Sequence, residues 1–395
     1  GVGTILMHFV SWNRQLMFML LMGIAFIAML AIVYRQISKS VRKRKSQKFE
    51  AELAGEGQAA GRRQDLSDRF REGIQQLRDA KVDVYNLPWY VVVGESGSGK
   101  TEAIRNSRLQ FPLNDQMQGT GGTADMHWWI TDEAVLLDTA GRLFLHEEGD
   151  QLSQNQWSDF LKLLRHTRPT CPITGMLLVV PADKLISAPA EDLARKARDT
   201  AEQLRQVQKA LDVRFPVFVV ITKADLVTGF REYFDSLDDI DLQHQMIGWS
   251  NPDDLDTPFD PRKLDDLLAP LIQRVRDKRR ELLQDPRPQR EAGRLAEVDA
   301  LYDFPASLGK LVPRLRHYLE SVFAGPNLTA KPLFCRGVYL TSSLSQGAAL
   351  DEELAQAMGM PVEQLPGGGA FREDRSYFLR DMFRDKVFRE RGLVT

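Results

Sequence analysis

Eight residues do most to limit what this chain can become: Gly94-Glu95-Ser96-Gly97-Ser98-Gly99-Lys100-Thr101. They follow the apolar run Leu87-Pro88-Trp89-Tyr90-Val91-Val92-Val93 and precede a helix-compatible stretch beginning Glu102-Ala103-Ile104. A strand, a glycine-rich loop ending in Gly-Lys-Thr and then a helix is the local context of a phosphate-binding loop. Glycines let backbone N–H groups turn inward around phosphate oxygens, and the helix start adds unpaired donors and the positive end of its dipole. Gly94, Glu95, Ser96, Gly97, Ser98 and Gly99 are expected to line the phosphates of ATP or GTP. Lys100 is expected to reach the outer phosphates, and the Thr101 hydroxyl to coordinate Mg²⁺.

The next block reads Met126-His127-Trp128-Trp129-Ile130, a polar Thr131-Asp132-Glu133, then Ala134-Val135-Leu136-Leu137-Asp138-Thr139-Ala140-Gly141. Two apolar runs about a short polar turn predict a β-hairpin. Asp138 ends the second run, where a carboxylate is costly unless a cation or hydrogen bonds compensate it. Beside the glycine loop, Mg²⁺ is the natural compensator, directly or through water; an exposed Asp capping the next turn is the bland alternative. Gly141 can bring its N–H to a γ-phosphate. In Gly119-Thr120-Gly121-Gly122-Thr123, Thr120 and Thr123 are both candidates to close on Mg²⁺ and γ-phosphate, Thr123 being preferred; an ordinary surface turn is the alternative. Further strands are predicted at Gly175–Val180 and Phe215–Ile221, the latter ending in Thr222-Lys223-Ala224-Asp225, with a helical pattern over 190–211 between them. The alternation predicts an α/β domain with a mainly parallel sheet, in which ligands bind beyond the carboxyl ends of the strands. The loop, Asp138 and Thr222–Asp225 then converge on one crevice.

Leu16–Tyr34 is a run of nineteen residues without a charge. At about 1.5 Å per residue it crosses a hydrocarbon core of roughly 30 Å. Arg35, Lys39, Arg42, Lys43, Arg44, Lys45 and Lys48 follow it, whereas only Arg14 precedes it, which places the following domain in the cytoplasm against the lipid bilayer. The basic residues follow the apolar run, opposite to a signal peptide. A net charge of -2 argues against a body that binds nucleic acid. Cys171 and Cys335 lie in or beside apolar runs and read as buried thiols. The expected plan is a transmembrane segment (1–36), a basic linker with an amphipathic helix on Leu66, Phe70, Ile74 and Leu77 (37–82), a P-loop nucleotide-binding domain (83–250) and a mainly helical C-terminal subdomain (251–395). Within the last, helices are expected over 262–283 and 295–323, the second divided by Pro305 and Pro313, and Leu333–Leu340 is a strand that can rejoin the sheet. Phe378, Met382, Phe383, Val387 and Phe388 form a stripe suited either to core packing or to docking.

Taken in order, these motifs resemble a GTPase-type P-loop core. The resemblance implies that Asp225 accepts from guanine and that the Lys223 stem lies along the base. Thr222 stands where an Asn is usual, which weakens the guanine assignment. Arg142 stands where a water-orienting Gln is common, yet can stabilise phosphoryl charge. Lys100, Thr123, Asp138 and Arg142 are thus the catalytic candidates, and Thr101 with Asp138 the metal pair.

The likeness extends further. Leu87-Pro88-Trp89-Tyr90, Trp128-Trp129, Asp138-Thr139-Ala140-Gly141-Arg142, Arg168-Pro169, Phe215-Pro216-Val217, Thr222–Val227, Arg336–Ser342 and Ser376–Asp381 together resemble the IcmF/TssM family of type VI secretion inner-membrane components. That resemblance implies an oligomeric scaffold in the bacterial inner membrane with a cytoplasmic nucleotide switch. Its implied partners are a smaller inner-membrane protein, an outer-membrane lipoprotein and baseplate proteins. It leaves open whether the nucleotide is hydrolysed or only held.

Overall fold

The computed structural model describes residues 66–112, 126–146, 149–234, 243–284, 294–324, 332–346 and 373–395. The apolar run Leu16–Tyr34, the basic cluster after it and the loop Gly119–Thr123 lie outside these residues. Among the described residues no helix is long and apolar enough to cross a membrane.

Helix α1 covers residues 66–79. Then come β1 (Trp89–Gly94), α2 (Lys100–Arg105), β2 (Met126–Ile130), β3 (Val135–Thr139), α3 (Gly141–Phe144), α4 (Gln151–Thr167), β4 (Gly175–Pro181), α5 (Ala182–Ser187), α6 (Ala190–Leu211) and β5 (Pro216–Thr222). A further helix α7 (Phe230–Phe234) leads to β6 (Ile247–Ser250), α8 (Lys263–Gln284), α9 (Arg294–Phe323), β7 (Phe334–Leu340), β8 (Ser342–Gln346) and β9 (Glu373–Tyr377). Seven strands form one sheet in the order β2-β3-β1-β4-β5-β7-β6. The five inner strands are parallel, and β2 and β6 close the edges antiparallel. This is a mixed α/β fold with a mainly parallel sheet. Strands covered on both faces read as unbroken apolar runs, as WYVVVG and GMLLVVP do.

Alternate residues of each strand serve opposite faces. Val91, Val93, Leu137, Met176, Leu178 and Val219 share one core with side chains of α1, α4, α6 and α9. Tyr90, Val92, Leu136, Leu177, Phe218 and Val220 meet Ala103 and Ile104 of α2 together with Met382, Phe383, Val387 and Phe388. The C-terminal aromatic stripe is therefore core packing, and the Tyr90 hydroxyl donates to the Val387 carbonyl at 2.5 Å.

Two expectations need correction. The division drawn between 250 and 251 runs through the sheet: β6 ends at Ser250, and its pairing partner β7 starts at Phe334. The C-terminal region is thus not a mainly helical body apart, since β7 lies beside β5 and the long helices α8 and α9 form an excursion between β6 and β7. In addition, α9 runs unbroken through Pro305 and Pro313, and α8 carries Pro270 in its interior. An interior proline costs about 3 kcal/mol. Burial of Phe304, Leu308, Leu311, Leu315 and Leu319 along α9 offsets that cost, each such side chain contributing about 1.5–3 kcal/mol.

On α1, Leu66, Phe70 and Leu77 are buried, and Gly73 meets Trp128 so closely that an added Cβ would stand 2.6 Å from the indole Nε1. Gly73→Ala is expected to destabilise the fold by about 1–3 kcal/mol through overpacking, although alanine favours helix by about 1 kcal/mol. A urea melt checks this; an unshifted midpoint would mean that α1 can move off Trp128 without cost.

Candidate phosphate-binding site

The hairpin turn shows how local sequence sets the frame. Thr131 Oγ1 accepts from the Glu133 and Ala134 amides at 3.1 and 2.8 Å, which fixes the turn and sets β2 against β3 with Ile130 opposite Val135. At the tip of β3, Thr139 Oγ1 donates to the Val92 carbonyl at 2.9 Å. The carboxyl ends of β1, β3, β4, β5 and β7 consequently open on one side, where the glycine loop joins β1 to α2.

Within the loop, Gly94, Gly97 and Gly99 have φ values of 152°, 72° and 84°, a region that favours glycine. A Cβ on Gly94 would also overlap the Val179 carbonyl oxygen of β4. Around Gly97 an added Cβ would meet nothing within 4 Å, so that side of the loop is open. Lys100 is buried and its ammonium folds back, donating to the Gly94 and Glu95 carbonyls at 3.1 and 2.8 Å, with Ser98 Oγ at 3.4 Å. Burial lowers its pKa, and the nearby Asp138 and Glu95 carboxylates oppose that shift. Glu95 itself turns outward to accept from Lys196 of α6 at 2.7 Å.

Thr101 Oγ1 donates to Asp138 Oδ2 at 2.6 Å, and Asp138 is fully buried. This brings together the two residues expected to share Mg²⁺. A hydroxyl and a carboxylate are hard oxygen donors, and the ion characteristically takes one or two carboxylates plus water and substrate phosphate. The donor chemistry of the pair suits that ion. Gly141 starts α3 directly against the loop; a Cβ there would overlap the Ser96 nitrogen and come within 2.7 Å of Ser96 Cα. Arg142 follows on α3, half-buried. Thr123 lies outside the described residues.

At the tip of β5, Thr222 Oγ1 donates to the Ser98 carbonyl at 2.6 Å, so this side chain ties the strand to the loop. Lys223 turns through φ 56° and its ammonium lies 4.0 Å from Asp183 Oδ2. Asp225 Oδ1 accepts from Ser342 Oγ at 2.5 Å, and its Oδ2 lies 3.4 Å from the Arg231 guanidinium.

Sequence reasoning did not single out Ser342, Arg231 or Lys196 for this site. Ser342 had a usable signal, since it stands just past an apolar strand, as Asp138 and Thr222 do. Arg231 and Lys196 are helical cations among many, and nothing local distinguishes them.

Residues 150–395 match a family model described as the IcmF-related N-terminal domain. The chain is 36% identical over 348 residues to the type VI secretion system component TssM1 of Pseudomonas aeruginosa, covering 83% of this chain and 30% of that protein. It therefore spans less than a third of that relative. Among solved structures it is similar to a probable GTP-binding protein engB (14% identity, TM-score 0.24, 35% of this chain and 71% of that one). It is also similar to the cytosolic domain of L. pneumophila FeoB (12% identity, TM-score 0.21, 59% and 98%). At those scores neither likeness bears weight, and the loop geometry and strand order stand without them.

Proposed function

This chain belongs to the IcmF/TssM family, and from that premise we propose that it supplies the nucleotide-responsive part of a type VI secretion inner-membrane component. The observation that carries the reading is the convergence of Lys100, Thr101, Asp138, Gly141 and Thr222 on one glycine loop. In this proposal Leu16–Tyr34 anchors the protein in the bacterial inner membrane and the described domain lies in the cytoplasm. An inner-membrane subunit, an outer-membrane lipoprotein and baseplate proteins are its partners.

The site residues act as follows. The amides of the loop and of the α2 start hold phosphate oxygens. Lys100 exchanges two carbonyl acceptors for charged oxygens, a stronger class of hydrogen bond. Thr101 and Asp138 would hold Mg²⁺, which neutralises phosphate charge when bound. Gly141, already against Ser96, carries any displacement of the loop into α3, and this is the switch. Thr123 and Arg142 are proposed at the γ-phosphate. Lys223 and Asp225 are proposed at the base.

A second reading, binding without useful turnover, is favoured by one feature. Arg142 has no lone pair with which to accept a proton from attacking water.

The test is calorimetric titration of the purified chain with Mg–ATP and Mg–GTP, beside a phosphate-release assay. A saturable isotherm that requires Mg²⁺ is expected, and no heat with either nucleotide would overturn the proposal. Asp138→Ala is expected to lower affinity in Mg²⁺ about tenfold and to leave affinity in EDTA unchanged. A clear preference for GTP would assign base reading to Asp225; equal affinities would remove that role.

A further inference from the structure

We propose that the groove between α8 and α9 is a self-complementary dimer surface, occupied by α8 of a second copy of this chain running antiparallel. A cavity of about 620 Å³ opens there, with Asp266, Ala269, Pro270 and Arg276 of α8 on one wall and Gly309 and Pro313 of α9 on the other.

The two prolines give this groove its chemistry. Pro270 follows Asp266 by one helical turn, and Pro313 follows Gly309 by the same interval. Proline nitrogen carries no hydrogen, so the Asp266 and Gly309 carbonyls each lack their usual donor. A Cβ on Gly309 would meet nothing within 4 Å, so the α9 wall of the groove is open at that position. Asp265 is tied to Arg316, whereas Asp266 is exposed and makes no ion pair among the described residues. The Asp266 end of the groove therefore offers a carboxylate, and the two prolines leave a backbone acceptor without its helical donor on each wall. A guanidinium, with five donors in a planar fork, matches that set.

Arg276 lies on the same face of α8, about 15 Å further along at the helical rise. Negative at one end and positive at the other, the face complements itself when two copies meet about a two-fold axis, as an isologous interface requires. Asp266 then faces Arg276 of the partner subunit, and Arg276 faces Asp266 of the partner subunit. Between them Ala269 and Pro270 project little, while Gln273, which also lines the groove, donates to Asp277 of its own helix. This inference does not depend on nucleotide binding.

The experiment is sedimentation of the full chain in detergent, with mixing. The wild-type chain is expected to form dimers. Asp266→Arg alone and Arg276→Asp alone place like charges opposite each other and should each weaken dimerisation at least about tenfold. An equimolar mixture of the two variants should recover dimers, because both positions of the first variant are then basic and both of the second acidic, so opposite charges meet at each end of the mixed interface. Unfolding of either variant could not produce that recovery. A monomeric wild-type chain, dimers indifferent to both substitutions, or a mixture no tighter than its components would each overturn the proposal.

Discussion

Replacing Lys100 with alanine is expected to abolish calorimetrically measurable nucleotide binding, a loss of about 100-fold or more, equivalent to about 2.8 kcal/mol. The ammonium is buried, its pKa is lowered by desolvation, and its hydrogen bonds are to loop carbonyls and Ser98. A phosphate offers that cation what the carbonyls do not, a full negative charge, and a charge-assisted hydrogen bond in such a site contributes about 1.5–3 kcal/mol. The same burial separates binding from folding. Removing a desolvated charge relieves a cost while it deletes three hydrogen bonds, so the melting temperature without nucleotide should move little. Titration and a thermal melt of the same sample check both halves. Unchanged affinity with an unchanged melt would remove the switch and hydrolysis readings together.

Gly141→Ala is expected to harm both the fold and binding. The added methyl would overlap the Ser96 nitrogen and the Glu95 carbonyl carbon, which are backbone atoms of the loop and cannot rotate away. Overpacking of this kind costs about 1–3 kcal/mol. Relief comes only by pushing the loop or α3 outward, which opens the nest of amides and should lower nucleotide affinity about tenfold or more. Urea denaturation measures the first effect and titration the second. A variant that melts and binds like the parent would show that Gly141 does not bear on the loop.

These two residues are legible in the chain of letters, because their signal is local. Gly-Lys-Thr after an apolar run, and Asp-x-x-Gly at the end of another, are patterns a few residues long whose backbone consequences follow from sterics and hydrogen-bond counting. Phe70 and Leu77 are legible for a related reason, since helical period alone points them to one side.

Other features depend on distant partners. Ser342 reaches Asp225 across 117 positions, and Lys196 reaches Glu95 across 101. Either contact needs the sheet to be assembled first. The same holds for the reversed expectations about α9 and the C-terminal region, because proline's local penalty is outweighed by buried leucines that only the packed helix reveals.

Period and residue chemistry act over one or two turns of chain. They suffice to dictate which segments become strands, where a glycine loop joins strand to helix, and which faces must be buried. The packed fold was needed to settle that β7 sits between β5 and β6, and that residues 379–388 cover the second face of the sheet. Strand neighbours are joined by backbone N–H and C=O groups that are nearly alike in every residue, so the choice among apolar strands is made by how the whole core closes.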